Sequence, residues 1–323
     1  QCLASRNPTA ALICVMPTPK SQLSLRSRAA YRIGNAVART GLGALMLLPY
    51  RWRVPVTGWV AARMLAPLAG FNRRTRRNLA LICPELPEEE VRRMCRAVAD
   101  NAARATIEQL SPPDFLKCAP DWTTSGDGWD AVAEALAQKR PVIVCSGHFG
   151  NYAAIRAAFL HRGHPMGGLY RRLANPYFNR HYAGKLAELG EPCMEQGMTG
   201  MRQVVRFLRS GGLLGILTDL HAHGGEELLF FGKPAVTSIS TAEMALKFNA
   251  LLVPGYAIRQ PDGLSFHLEL HAPIPHSDPL TMTQAMNDDL ESMVRQHMDQ
   301  WFWIHRRWKP WVSNGVVRGL PEG

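Results

Sequence analysis

The sequence has few acidic residues for its length. Its 323 residues include 26 Asp and Glu against 37 Lys and Arg, which gives a formal net charge of +11 at pH 7. A protein this basic attracts polyanions, so nucleic acid, an anionic membrane and an acidic carrier protein are the partner classes to weigh. Its basic clusters accompany long apolar stretches rather than a helix-turn-helix or a stacking platform. We therefore expect no nucleic-acid partner.

The cysteines are few and form no pattern. There are seven, an odd number, and no two of them form a C-x-x-C motif. This usage is typical of a reducing compartment rather than of a disulfide framework. A D-x-H-x-H grouping at Asp219, His221 and His223 has some metal-ligand character, but no third histidine motif supports it. We therefore expect no metal and no cofactor.

Long uninterrupted hydrophobic runs are also absent. Apolar stretches at Ala29–Tyr50 and Val54–Phe71 contain arginines, and neither reaches the roughly 18 clean apolar residues of a spanning helix. Basic segments, Arg51–Arg53 and Asn72–Asn78, follow them. Apolar helices with tryptophans and a basic fringe are typical of a membrane interface. The alternative is a buried core helix with a solvated basic end.

The chain shows no internal repeat and no low-complexity linker. From about residue 117 onward strands alternate with helices, as at Pro141–Ser146 and Leu213–Leu220, which predicts an α/β fold with a mixed sheet covered by helices. A final helix is expected over Met282–Trp303. The predicted organisation is a possibly disordered or incomplete N-terminus (1–28), a helical membrane-associating part (29–115) and the α/β catalytic part of the same domain (116–323).

One stretch, PVIVCSGHFGNYAAIRAAF, places a histidine where catalysis is common. His148 follows an apolar run at a strand end, where ligands bind in α/β sheets, and Gly147 and Gly150 near it allow a sharp turn. A histidine there can take a proton from a hydroxyl near neutral pH. The alternative is a histidine that only satisfies the turn.

Six stretches in the same order resemble the bacterial lipid A biosynthesis acyltransferases, the lauroyl/myristoyl transferase family, and their mycobacterial mannoside-acylating relatives. The stretches are RRTRRNLALICPELPEEE (73–90), SGHFGNY (146–152), YRRLANPYFN (170–179), GGLLGILTD (211–219), FFGKPAVTS (230–238) and DQWFWIHRRWKP (299–310). The resemblance implies an acyltransferase-type sandwich at the cytoplasmic face of the cell inner membrane, peripheral or with one N-terminal membrane helix. It also implies transfer of an acyl chain from acyl carrier protein, or from acyl-CoA, to a hydroxyl of a membrane glycolipid such as a lipid A precursor.

The family's signature is H-x4-D/E, in which the histidine is the general base and the carboxylate orients it. Here the histidine is His148, but the carboxylate position is Ala153, and residues 149–187 contain no Asp or Glu. Three explanations are open. The change to alanine is engineered or selected, a carboxylate from elsewhere in the chain replaces the missing one, or the reaction has been lost while lipid binding remains. Asp219 is the best replacement, with Glu108 and Glu226 behind it. We expect Ala153→Glu to raise acyl transfer at least about tenfold.

The remaining motifs predict substrate contacts. Arginine suits phosphate groups because its guanidinium offers a planar donor fork; the alternative for these arginines is a solvated loop. The candidate substrate-binding residues are Gly150, Asn151, Tyr152, Arg171, Arg172, Asn175, Arg306 and Arg307. Two further functions stay open, a lapsed lipid-binding homologue and an acyltransferase acting on a lysophospholipid or a mannoside.

Overall fold

In the computed structural model, which describes residues 24–313 and 316–318, six helices precede a seven-stranded sheet. The first six are α1 (Leu25–Met46), α2 (Tyr50–Val60), α3 (Ala66–Leu68), α4 (Phe71–Ile82), α5 (Glu88–Gln109) and α6 (Pro112–Cys118), with a π-helical turn between α2 and α3. The later helices are α7 (Gly128–Ala137), α8 (Ala153–His161), α9 (Pro176–Glu188), α10 (Met198–Arg209), α11 (Ser240–Phe248) and α12 (Pro279–Gln296). Residues 1–23, part of the expected N-terminal segment, lie outside the described residues.

The sheet is mostly parallel, which confirms the predicted α/β class with a mixed sheet covered by helices. Its strands lie in the order β1, β9, β8, β2, β5, β3, β4, and β9 is antiparallel to β8. The strands are β1 (Thr123–Ser125), β2 (Val142–Ser146), β3 (Gly167–Tyr170), β4 (Cys193–Glu195), β5 (Leu213–Leu217), β8 (Leu251–Arg259) and β9 (Phe266–Leu270). A separate hairpin contains β6 (Glu226–Phe230) and β7 (Lys233–Thr237), and β10 (Trp311–Ser313) pairs with β11 (Val316–Arg318).

β2 is wholly buried and central, since it pairs in parallel with both β5 and β8. A strand covered on both faces reads as a continuous apolar run, which is why the segment before His148 shows no alternation. The carboxyl ends of β2 and β5 therefore meet at one edge of the sheet. This edge is where the sequence predicts the site.

The final helix is shorter than its sequence predicts. α12 ends at Gln296, a short 3-10 turn follows, and Trp301 forms an antiparallel bridge with Phe149. The predicted helix over Met282–Trp303 is thus wrong in its last turns. The physical reason is that these backbone groups bond the turn after β2 instead: the Phe302 N–H donates to the His148 carbonyl at 3.0 Å, and the Gly150 N–H donates to the Gln300 carbonyl at 2.9 Å.

The N-terminal helices bury one face and leave another apolar face in solvent. Arg53 points inward and donates to the Asp114 carboxylate (2.9 Å) and to the Ser111 hydroxyl (3.0 Å), which joins α2 to α6. Large apolar side chains nevertheless stay exposed along α1–α3: Ile33, Val37, Leu47, Trp52, Val56, Trp59, Met64, Leu65 and Leu68. Within the described residues no single helix is long and apolar enough to cross a membrane. Two consecutive helical segments, Tyr50–Leu68 and Phe71–Ile82, reach that length and apolar composition only together, and they are bent by 85°.

Candidate active site

The carboxyl ends of β2 and β5 bring His148 and Asp219 together across 71 positions of sequence. His148 is two residues beyond the end of β2, and Asp219 is two residues beyond the end of β5. Because the two strands are parallel neighbours, residues at equal distances past their ends meet at the same sheet edge. His148 Nδ1 lies 2.8 Å from Asp219 Oδ1.

Both oxygens of Asp219 are fully engaged. Oδ1 faces the imidazole, while Oδ2 accepts from the His148 backbone N–H (2.7 Å) and from the indole N–H of Trp301 (2.9 Å). Asp219 is buried, so these donors replace the water that an exposed carboxylate would bind. The orientation of the carboxylate is therefore fixed before any substrate arrives.

The electrostatics keep Asp219 ionised. Burial alone would raise the pKa of its carboxyl, but the charge and hydrogen bonds of His148, with the nearby His305, hold that pKa well below its usual range. An ionised carboxylate at Nδ1 fixes the imidazole tautomer with Nε2 unprotonated and stabilises the imidazolium when Nε2 takes a proton.

Two glycines make this turn possible. A Cβ at Gly147 would lie 2.8 Å from a methyl carbon of Leu290 and 3.1 Å from Asp219 Oδ2. Gly150 has φ +51°, and a Cβ there would lie 1.7 Å from the Ala257 carbonyl oxygen. Any larger residue would displace the backbone that carries His148.

A cavity of about 190 Å³ opens beside the imidazole. His148 lines it, and Nε2 has no hydrogen-bond partner among the described residues. The walls come from α5, from the turn after β2 and from the segment after α12, and include Asn101, Thr106, Gln109, Gly150, Tyr152 and Phe302. The histidine thus has its carboxylate on one side and space for a ligand on the other.

Ala153 does not face this space. Its side chain is 1% exposed and packs in the apolar core with residues such as Ile155 and Leu270. His148 Nδ1 is bonded to Asp219, so the imidazole has a carboxylate neighbour although residue 153 is alanine. A glutamate at 153 would bury an unpaired charge among apolar groups.

The two weaker replacement candidates are occupied elsewhere. Glu108 on α5 is fully buried and forms a bidentate pair with Arg259 (2.6 and 2.8 Å), and it accepts from the Asn151 amide at 2.8 Å. Glu226 is exposed on β6, opposite Thr237 of β7. Of the three carboxylates, the structure brings only Asp219 to His148.

The predicted substrate-binding residues divide by what they contact. Gly150 and Tyr152 line the cavity, and the Tyr152 hydroxyl lies 3.3 Å from Gln109 Oε1. Asn151 is wholly buried; besides bonding Glu108, it accepts from the Ala153 N–H at 3.1 Å and so supports the start of α8. These contacts give Asn151 a structural place beneath the turn.

The predicted arginines and Asn175 also differ in exposure. Asn175 caps α9 by accepting from two backbone N–H groups, and it donates to the Tyr31 carbonyl of α1. Arg171 is exposed, and half-buried Arg172 lies 3.7 Å from Glu195. Arg306 is exposed, whereas Arg307 is 0% exposed and donates to the Val236 carbonyl and the Thr237 hydroxyl. Arg307 therefore cannot touch a headgroup in this arrangement.

Three supporting residues were missed at the level of sequence. Trp301 donates to Asp219; Asn78 of α4 donates to the Trp303 and His305 carbonyls (2.7 and 2.8 Å); and Asn101 donates to the Gly150 and Gln300 carbonyls (3.1 and 3.2 Å). Two of them lie in the stretches that carry the family resemblance. Their position in those stretches was the available signal, but the sequence alone did not indicate which groups they would bond.

Comparison with known proteins shows which family the chain belongs to. The profile of the bacterial lipid A biosynthesis acyltransferase family matches residues 21–310. The chain belongs to this family. It is 27% identical over 244 residues to the lipid A biosynthesis lauroyltransferase of Escherichia coli K12, a match that covers 72% of this chain and 77% of that protein.

Two lipid A biosynthesis acyltransferases of Haemophilus influenzae are also similar, each at 24% identity. The matches extend over 249 and 275 residues and cover 72% and 80% of this chain, and 76% and 82% of the relatives. Membership of the family makes this protein an acyltransferase, which confirms the resemblance read from the six stretches. The family implies an acyl donor and a glycolipid acceptor.

Proposed function

We propose that this protein transfers a fatty acyl chain from acyl carrier protein, or from acyl-CoA, to a hydroxyl of a lipid A precursor, with His148 as general base and Asp219 as its carboxylate partner. The observation that carries the proposal is the His148–Asp219 pair beside an open cavity. The names of the relatives support lipid A as the acceptor class.

The proposed reaction has two proton transfers at one nitrogen. His148 Nε2 takes the proton of the acceptor hydroxyl as its oxygen attacks the carbonyl carbon of the thioester. When the tetrahedral intermediate collapses, the carbon–sulfur bond breaks and the imidazolium returns the proton to the departing sulfur. Asp219 stays ionised throughout and stabilises the positive charge on the ring.

The direct test is acyl transfer by purified protein in mixed lipid–detergent micelles, with labelled acyl carrier protein or acyl-CoA and a lipid A precursor. His148→Ala should reduce turnover by about two to four orders of magnitude, the usual contribution of a general base. His161→Ala, at the far end of α8, is the matched control and should leave turnover unchanged. Equal turnover in wild type and His148→Ala would remove His148 from the mechanism.

We also infer peripheral docking of α1–α3 on an anionic membrane. The exposed tryptophans and aliphatic side chains of these helices support it, as do the exposed arginines Arg51, Arg63 and Arg73 nearby. Apolar side chains that enter an interface, with arginines at the headgroups, combine hydrophobic and electrostatic attraction. This surface would bring the cavity to a lipid acceptor.

Vesicle co-sedimentation tests the docking surface. Leu65→Glu/Leu68→Glu should lower binding to vesicles containing phosphatidylglycerol by about tenfold or more, because two exposed apolar groups are replaced by repelled charges. Leu280→Glu, an exposed leucine on α12, is the control and should bind as wild type. Unchanged binding of the double variant would exclude α3 from the contact.

A further inference from the structure

Histidines and two basic side chains, Arg307 and Lys309, lie on the Asp219 side of the site. The loop after β5 contacts the segment after α12, where the His221 backbone N–H donates to His305 Nε2 at 2.9 Å. The rings of His221 and His223 are 5.1 Å apart. Lys309 and Arg307 lie close enough to act electrostatically on both His221 and His305.

The positive charges of Arg307 and Lys309 are poorly balanced by carboxylates. Asp219 is the carboxylate that acts on His305 and on Arg307, and it is already bonded to His148. Within residues 24–313 and 316–318, neither His223 nor Lys309 forms an ion pair with a carboxylate. The buried Nε of Arg307 and the buried Nδ1 of His221 have no hydrogen-bond partner in this part of the chain.

Burial is the main cause of the lowered pKa of the two histidines, and the neighbouring cations add to it. Burial, with the nearby charges of Lys309, His223 and Arg307, lowers the pKa of His221 to about 4. Burial likewise lowers the pKa of His305 to about 4, with Asp219 opposing and His148, Arg307 and Lys309 adding to the effect. Both rings are therefore neutral at pH 7, and a bound anion would favour their protonation and balance the charges of Lys309 and Arg307. The half-buried His221 and Lys309 and the exposed His223 leave an anion access.

We propose that His221, His223, Lys309 and the buried Arg307 behind them form a subsite for a phosphate ester, adjoining the His148–Asp219 pair. Lysine and protonatable imidazoles bind phosphate oxygens by charge-assisted hydrogen bonds, and Arg307 adds positive potential without direct contact. The phosphate belongs either to the acceptor headgroup or to the pantetheine arm of the donor. The choice of these two sources rests on the proposed function; the anion site itself does not.

Calorimetric titration with inorganic pyrophosphate tests the site without requiring turnover. His223→Ala/Lys309→Ala should weaken pyrophosphate binding by at least about tenfold, since the variant loses charge-assisted hydrogen bonds to the anion. The matched control is His161→Ala/Lys247→Ala, whose residues are exposed at the ends of α8 and α11. The control should bind within twofold of wild type. Equal affinity in the test variant and wild type overturns the proposal.

Steady-state kinetics then identifies the source of the phosphate. If the acceptor carries it, the test variant raises KM for the phosphorylated glycolipid about tenfold and leaves KM for its dephosphorylated form unchanged. If the donor carries it, KM for acyl carrier protein rises and KM for the acceptor does not. Unchanged KM values for both substrates contradict a role in transfer. Pyrophosphate binding without any acyl transfer would refute the proposed function while leaving the site intact.

Discussion

Two buried carboxylates lie at the two ends of the turn from His148 to Asn151, and they have different partners. Glu108 bonds Arg259, whose charge is permanent, and it holds the Asn151 side chain. Asp219 bonds His148, whose charge can change, and holds the His148 backbone. Both are almost fully buried, so burial does not distinguish the structural carboxylate from the one that we propose for catalysis. The two differ in their partners, which are a guanidinium for Glu108 and an imidazole for Asp219.

Removing the charge of Asp219 tests the difference between the two carboxylates and should have the largest effect. Asp219→Asn should lower kcat by about three to four orders of magnitude, as loss of the orienting carboxylate does in serine proteases. An asparagine there can favour the wrong imidazole tautomer and cannot stabilise the imidazolium. The measurement is single-turnover acyl transfer at saturating enzyme. A fall of less than threefold would make Asp219 a structural residue like Glu108.

The same change at the other carboxylate should act on stability. Glu108→Gln leaves the Arg259 guanidinium buried without its counter-charge, which costs about 3–5 kcal/mol for broken buried pairs. Urea unfolding should show this loss, while kcat per folded molecule falls less than about tenfold. A thousandfold loss of kcat with unchanged stability would place Glu108 in the chemistry instead.

A smaller effect is expected at Trp301. Trp301→Phe keeps most of the ring but removes the N–H that donates to Asp219 Oδ2. We expect kcat to fall about tenfold, in line with one hydrogen bond to a charged group, with KM nearly unchanged. A change in KM alone would indicate a packing role.

The last prediction concerns the pH dependence of stability around His221 and His305. Their folded pKa values, about 4, lie below the unfolded value near 6.5, so the unfolded state binds more protons between these limits. The free energy of unfolding should therefore rise from pH 4 to 6.5 and level off above. Urea midpoints at a series of pH values measure it, and His305→Gln should flatten the rise.

Other charged groups near these histidines influence their pKa values and therefore how the free energy of unfolding depends on pH. Asp219, His148, Arg307, Lys309 and His223 act on the two rings, and the carboxylates of β6, Glu226 and Glu227, follow the same loop. Saturating pyrophosphate should flatten the pH dependence if an anion binds among the cations. A free energy of unfolding that falls from pH 4 to 6.5 would contradict the lowered pKa values.

Much of the site followed from the sequence, because strand ends are local features. The apolar runs before His148 and Asp219 identified both residues as strand-end candidates. Their contact depends on strand order, since β5 lies beside β2 in the sheet although β3 and β4 come between them in the chain. No local pattern encodes that order. The burial of Arg307 was missed for a related reason: the local sequence does not show that its guanidinium donates to the Val236 carbonyl and the Thr237 hydroxyl of β7.

The rates of four proteins test the central claim most directly: wild type, Asp219→Asn, Ala153→Glu and the double variant, each in single-turnover acyl transfer. We expect Asp219→Asn to be slower than wild type by about three to four orders of magnitude. We also expect Ala153→Glu to be no faster than wild type and the double variant to be no faster than Asp219→Asn. A tenfold or greater gain in Ala153→Glu, with Asp219→Asn close to wild type, would show that the missing carboxylate belongs at 153.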